Sequence, residues 1–310
     1  MPTQLPFIPL AVAVTCLQFI SVSQAAPRDR VFVASYGNDS NPCTFLSPCK
    51  TFQQAVNVVA TGGEVTAIDS AGFGPINITQ SVTITSPPGV EAGIVPTAGG
   101  DAITINALTD INVTLRGLTL EGSTGGNHGI FLTSTVSNAT LNILDCMVKD
   151  FTAGGIVIEP THPAPTYGAL FLFISNTSSL NNGLDGINIA PSGKAVVGGM
   201  ITQTASVNNH SIGFNISGGP VTISNSVATL NGDVGIQVQN GASLTLRDSI
   251  SQGNNGSNGD VYTDNSSAVN LFRNNTIDSL TIASGGTVTS DGTNDIGLIT
   301  GGPLSKQGLQ

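Results

Sequence analysis

Few side chains in this sequence could do chemistry, and those that could fall at related places. Asp185 in LDGI and Asp233 in DVGI each stand just before a Gly-Ile pair, and His210 lies between them. His128 in GNHGI precedes another such pair, and Lys149 in DCMVKD is flanked by Asp145 and Asp150. Two carboxylates across a gap of ~6.5–9.5 Å are what an inverting glycoside hydrolase uses, one as acid and one as base toward water. If the segments carrying Asp185 and Asp233 are stacked strands two layers apart, their separation is about 10 Å. The two differ by one residue in their distance from the Gly-Ile pair, which can turn them to opposite faces. The plainer reading makes all of these turn residues, with Asp145 in a stack of turns and Lys149 solvated.

What must position them is a repeat. The triplets Ile143-Leu144-Asp145, Ile174-Ser175-Asn176, Ile201-Thr202-Gln203, Ile223-Ser224-Asn225, Leu246-Arg247-Asp248 and Phe272-Arg273-Asn274 align at spacings of 31, 27, 22, 23 and 26 residues. A second column follows at Gly129-Ile130, Gly155-Ile156, Gly186-Ile187, Gly213-Phe214 and Gly235-Ile236, and Asn181, Asn208, Asn231 and Asn254 sit between the two columns. Leucine-rich repeats would need a Leu ladder and helical repeats a helical period, and the sequence has neither. Alternation such as Val221, Ile223 and Val227 against Thr222, Ser224 and Ser226 fits short strands with one face inward. Each repeat therefore reads as one coil of about three strands, pairing in parallel with the next coil ~4.8 Å away. Apolar files should run through the interior, and Asx residues should stack at the turns.

A stack of this kind has exposed edges that need a cover. Residues from Ser47-Pro48 to Ala60 read as one helix, with Phe52, Ala55, Val56 and Val59 on one face and Gly62-Gly63 ending it. Strand alternation resumes at Glu64-Val65-Thr66-Ala67-Ile68. Cys43 and Cys49 bracket the short loop NPCTFLSPC and are expected to form a disulfide. A zinc or redox pair, the competing reading, would want closer spacing and more Cys or His nearby. Cys146 reads as an inert buried thiol. The first 26 residues carry no Asp, Glu, Lys or Arg, and the apolar run Phe7 to Ile20 is followed by Ser23-Gln24-Ala25-Ala26. This reads as a secretory signal peptide, though without the usual positive charge ahead of the run. The expected organisation is a signal peptide over 1–26 and an N-terminal strand, disulfide loop and capping helix over 27–63. Coils then fill 64–296, and a tail covers 297–310.

Composition narrows the function classes. Charged residues make up only 9% of the chain, Gly numbers 38, Trp is absent and apolar residues reach 39%, which suits short strands joined by tight polar turns rather than helices or disorder. The net charge of −10, with nine scattered Lys and Arg, excludes a nucleic-acid partner. Such a surface keeps an exported protein soluble and repels anionic polymers unless divalent cations bridge them. No membrane span is expected after the leader is removed, and a monomer is expected.

The segment RVFVASYGNDSNPCTFLSPCKTFQQAVNVVATGGEVTAID resembles the start of secreted proteins of the pectin-lyase-like superfamily. In those proteins a strand, a Gly-Asn-Asp turn, an Asn-Pro-(Gly/Cys)-Thr loop, a Pro-(Phe/Cys)-Lys-Thr helix start and a Gly-Asp/Glu-Val strand occur in this order. The resemblance covers about Arg30 to Ile296 and implies an all-β fold, a right-handed parallel β-helix with an N-terminal capping helix. It implies no single activity, since the superfamily holds lyases, hydrolases, epimerases and adhesins. Its lyases use a Ca²⁺-binding carboxylate cluster and an Arg or Lys that takes the proton beside a uronate carboxyl. Only Lys149 comes near that pattern here. The hydrolase signatures Asn-Thr-Asp, Asp-Asp, Gly-His-Gly and Arg-Ile-Lys are missing. The leading expectation is an exported, periplasmic or extracellular β-helix presenting a polar face to a glycan or surface partner, with no cofactor. The alternative is a polysaccharide lyase or glycoside hydrolase, with Asp185, Asp233, His210 and Lys149 as catalytic candidates and Ca²⁺ required only by a lyase. Three Tyr and no Trp leave few aromatic platforms for tight sugar binding.

Overall fold

A computed structural model describes residues 28–108, 110–264 and 266–306. The signal-peptide reading over 1–26 lies outside the described residues. Every strand pairing between named strands is parallel, and each coil contributes strands to successive sheets. The first sheet has twelve strands, from Arg28–Val33 to Leu304–Lys306. A second sheet includes Met147–Lys149, Ser178–Leu180, Ala205–Val207 and Val227–Thr229, and a third includes Ile156–Ile158, Ile187–Ile189, Phe214–Ser217 and Ile236–Gln239. The second and third sheets merge at Thr276–Ile282, which pairs with both Ile250–Gln252 and Val261–Thr263.

The expected interior file is present. Ile84, Leu115, Ile143, Ile174, Ile201, Ile223, Leu246 and Leu271 are register partners in successive coils, and all are buried. Burying each such side chain stabilises the stack by about 1.5–3 kcal/mol. The Gly-Ile column is likewise continuous, from Ile130 through Ile156, Ile187 and Phe214 to Ile236. Its glycines answer a close approach. A side chain on Gly186 would fall 2.0 Å from Ser206 Oγ and 2.5 Å from Asn209 Nδ2.

Several details differ from what the sequence leads one to expect. Leu271, not Phe272, is the partner of Leu246, so the last triplet is shifted by one and Arg273 takes the place of Asp248's equivalent. Inward burial decides that register, and Leu271 is the buried member. The Asn column splits in two. Asn181 and Asn208 are exposed corner residues with positive φ, a position that Leu230 takes in the next coil. Asn231 and Asn254 instead continue a buried ladder with Asn182 and Asn209. In it each side-chain amide donates to the next coil's carbonyl oxygen at 2.8 to 3.0 Å.

The helix is also shorter than expected, Phe52–Val58. Cys49 bridges to Val33 in the sheet, so the helix cannot start until Thr51, whose side chain caps it by accepting from Gln54 N–H. Asp39 reinforces this start by accepting from the backbone N–H groups of Lys50 and Thr51 at 2.8 and 2.9 Å. The strand after the helix begins at Val59 rather than Glu64. The expected apolar face holds, since Phe52, Ala55, Val56 and Val59 are all buried and the helix packs on the first strands. Cys43 and Cys49 form a disulfide, and Cys146 is a buried free thiol. At the far end the strand Asp295–Gly301 runs across residue 296, and Leu304–Lys306 adds one more rung to the first sheet.

Candidate functional site

On the third sheet the inward Ile column leaves every second side chain facing out. Asn188, Asn215 and Gln237 occupy that outward column in successive coils, between Val157 and Tyr262. Carboxylates reach the same column from both sides. Glu159 Oε1 accepts from Asn188 Nδ2 at 3.4 Å, and Asp185 Oδ2 accepts from Asn215 Nδ2 at 3.0 Å. Asn215 Oδ1 in turn accepts from Gln239 Nε2, and Gln239 Oε1 from Gln237 Nε2. One acceptor is left over. Asn188 Oδ1 is buried and has no hydrogen-bond partner. A buried carbonyl without a donor costs about 1–3 kcal/mol.

The same face continues to His128 and Phe131. The backbone pairing aligns Asp101, His128, Gly154 and Asp185 in one file. Asp101 Oδ1 lies 2.9 Å from His128 Nδ1 and accepts from the His128 backbone N–H at 3.2 Å, while the imidazole stacks on Phe131 at 4.8 Å. Asp185 repeats the backbone part of this pattern, since its Oδ1 accepts from Ile212 N–H at 3.1 Å. Both aspartates thus close the coil beneath them by satisfying a backbone donor at the strand entry. Only Gly154, without a side chain, stands between His128 and Asp185.

The four residues singled out in the sequence are not brought together. Asp185 shares its column with Ile212 and Val234, so Asp233 lies one column away as well as two coils away. Asp233 lies against Gly256, whose missing side chain makes room for its carboxylate oxygen. His210 is exposed on the corner between the second and third sheets. There it lines a shallow groove of about 390 Å³ with Asn181, Asn208, Leu230, Gly232 and Asn255. Lys149 is on the second sheet, in register with Glu121, and its Nζ is 3.4 Å from Glu121 and 3.3 Å from Asp150. Burial pulls its pKa down, but hydrogen bonds and charge from Asp150 and Glu121 outweigh this, and the net shift is upward. A lysine acting as a base needs the opposite shift. Among the described residues no three His, Cys, Asp or Glu side chains converge to hold a metal ion.

Glu159, Asn188, Asn215 and Gln239 lie outside the apolar columns by which the repeat is recognised in sequence. The signal was present in INI at 187–189, FNI at 214–216 and IQVQ at 236–239, where the residue between two inward side chains must face out.

No protein-family model matches the chain, and no curated protein sequence matches it. Among solved structures it is similar to pectate lyase Pel9A, with a TM-score of 0.60 at 15% identity, covering 90% of this chain and 77% of that one. Weaker likenesses are to a rhamnogalacturonan lyase, with a TM-score of 0.40 at 14% identity over 84% of this chain and 75% of that one. The other is to the GH136 lacto-N-biosidase from Eubacterium ramulus, with a TM-score of 0.45 at 8% identity over 90% and 68%. The chain has a right-handed parallel β-helix fold, as the likeness to pectate lyase Pel9A shows. At this identity the likeness shows the fold alone.

Proposed function

We propose that this chain is an exported protein that binds a polysaccharide along the outer face of its third sheet. The observation that carries the reading is the outward column of Asn188, Asn215 and Gln237 in successive coils, flanked by Glu159, Asp185 and Gln239. A file of amides over three successive coils, flanked by two carboxylates, matches a ligand that itself repeats and is covered with hydroxyl groups. The disulfide fits the oxidising compartment that the signal-like leader implies. Among the described residues no helix is long and apolar enough to cross a membrane. Binding of wild-type protein to a panel of soluble plant and bacterial polysaccharides tests this. Asn188→Ala should weaken the best ligand about tenfold, the equivalent of one hydrogen bond of about 1.4 kcal/mol. Unchanged affinity in Asn188→Ala, or no binding across the panel, overturns the reading.

A catalytic role on the same face is the second reading, and Glu159 and Asp185 favour it. Their carboxylates contact outward amides of adjacent coils, which lie about 4.8 Å apart. That pair, rather than Asp185 with Asp233, reaches one shared outward column, which favours it as the pair to flank a glycosidic bond. Release of reducing ends from a ligand, lost in both Glu159→Gln and Asp185→Asn, would establish hydrolysis. A rise in ultraviolet absorbance from unsaturated uronate products would instead establish a lyase.

A further inference from the structure

The outer face of the first sheet is polar along most of its length, but not where its two eight-residue strands meet, Gly168–Ser175 and Ala195–Thr202. Phe171 and Phe173 point out from the first of these, 57% and 37% exposed, with Met200 beside Phe173 at 44% and Tyr167 just ahead of the strand at 69%. Phe171 faces Gly198 across the register. That glycine is not demanded by packing, since an added side-chain carbon would meet nothing closer than 3.6 Å. Its neighbour Gly199 is demanded, because there the same atom would fall 1.9 Å from Leu172 O. Gly198 therefore leaves open a trough along one flank of the Phe171 ring. On the other flank stand Thr140 and Asn142, and Thr222 lies beyond Met200. At one end Lys194 Nζ lies 5.0 Å above the centre of the Tyr167 ring, and no carboxylate among the described residues pairs with it.

The occupant follows from size and charge. The four exposed apolar side chains present roughly 400 Å² in total, about half of the ~800 Å² per partner that a stable protein interface buries. The row from Tyr167 to Phe173 is about 20 Å long, with rings facing out singly and hydroxyl and amide groups beside them. A pyranose chain offers the matching surfaces, apolar C–H faces for the rings and hydroxyls for the rim. An unpaired ammonium in a chain of net charge −10 gives an anionic group one place where it is attracted. We infer that this row is a second binding platform, distinct from the third-sheet face, for a short run of an acidic polysaccharide. Sugar rings lie on Phe171 and Phe173, and a carboxylate lies at Lys194.

The test uses oligogalacturonate and an uncharged cello-oligosaccharide as probes, with calorimetric titration of wild type, Phe171→Thr/Phe173→Thr, Lys194→Gln and Asn188→Ala. Threonine suits an outward strand position, and an unchanged melting curve confirms that each variant is folded. The double Phe variant should bind oligogalacturonate at least tenfold more weakly. Lys194→Gln should lose the preference for the charged probe together with its salt dependence. Native affinity in the double variant overturns the inference, as does failure of wild type to bind oligogalacturonate. So does a wild-type dimer in sedimentation that the double variant dissolves, which would assign the patch to a second copy of the chain. If Asn188→Ala alone abolishes all binding, there is one platform and the inference also falls. If it changes nothing while the Phe variant loses binding, the first-sheet platform stands and the third-sheet reading fails.

Discussion

At the scale of single residues, burial decides what otherwise reactive groups do. Burial is the largest influence on Cys146, whose pKa it pushes up to about 11, and the thiol packs against backbone carbonyls. The nucleophilic thiolate is then scarce at pH 8. Alkylation with iodoacetamide at that pH should leave the Cys146 peptide unmodified in native protein and modify it fully in denaturant, as read by peptide mass spectrometry. Rapid labelling of the native protein would show that the coil around Cys146 opens. Lys149 makes the same point from the other side, since Glu121 and Asp150 hold it as a cation. The two aspartates that matter to the outer face, Asp101 and Asp185, each spend an oxygen on a backbone N–H of the next coil. Their place in the repeat is fixed before any ligand arrives.

The corners set the geometry at the scale of elements. Asp145, Asn176, Gln203, Asn225 and Asp248 all have positive φ at the corner between the first and second sheets, and Asp150, Asn181 and Asn208 do so at the next corner. Asn and Asp tolerate that left-handed conformation, whereas other side chains meet about 1–2 kcal/mol of steric cost. Gln203 and Leu230 depart from this preference, Leu230 with φ of 58° and a side chain 57% exposed. Leu230→Asn should raise stability by about 1 kcal/mol, measured by denaturant unfolding. It would also extend the exposed contact in which Asn208 Nδ2 donates to Asn181 Oδ1. A loss of stability would show that Leu230 contributes packing that outweighs its backbone strain. The adjacent buried ladder was harder to see in sequence. Paired asparagines at 181–182 and 208–209 give each corner two candidates, and the sequence does not say which one turns inward.

The acidic balance of the whole molecule couples stability to pH. Asp264 feels burial most strongly, which raises its pKa. Hydrogen bonds from Ser267, Asn240 and Ser266 more than offset that and hold it below the ordinary carboxylate value. Asp291 is lowered first by the Thr293 backbone N–H and then by that of Arg273. A carboxylate whose folded pKa is depressed contributes stability above its unfolded value of about 3.9, and loses it as pH falls through the folded value. The melting midpoint should therefore be level from pH 7 to 5 and fall below about pH 4, and Asp264→Ala/Asp291→Ala should flatten that fall. An identical acid profile in the double variant would place the sensitivity elsewhere.

The sequence by itself determined the coil architecture, because side chains that repeat every two dozen residues can be buried only by stacking like on like. It determined the apolar files, the helical cover over the first rung and the Cys43–Cys49 bridge for the same local reasons. It showed no way to choose among Asp185, Asp233, His210 and Lys149, since spacing along the chain does not state which column a turn residue enters. Tertiary pairing decided that. It placed Asp185 with Asn215 and near His128, set Glu159 against Asn188, and left Asp233, His210 and Lys149 on other surfaces. It also gathered Phe171, Phe173 and Met200 onto one outer face, which a count of aromatic residues would have discounted. Functional faces of a solenoid are made by residues that are neighbours across coils, and the lengths of the intervening turns set which residues those are.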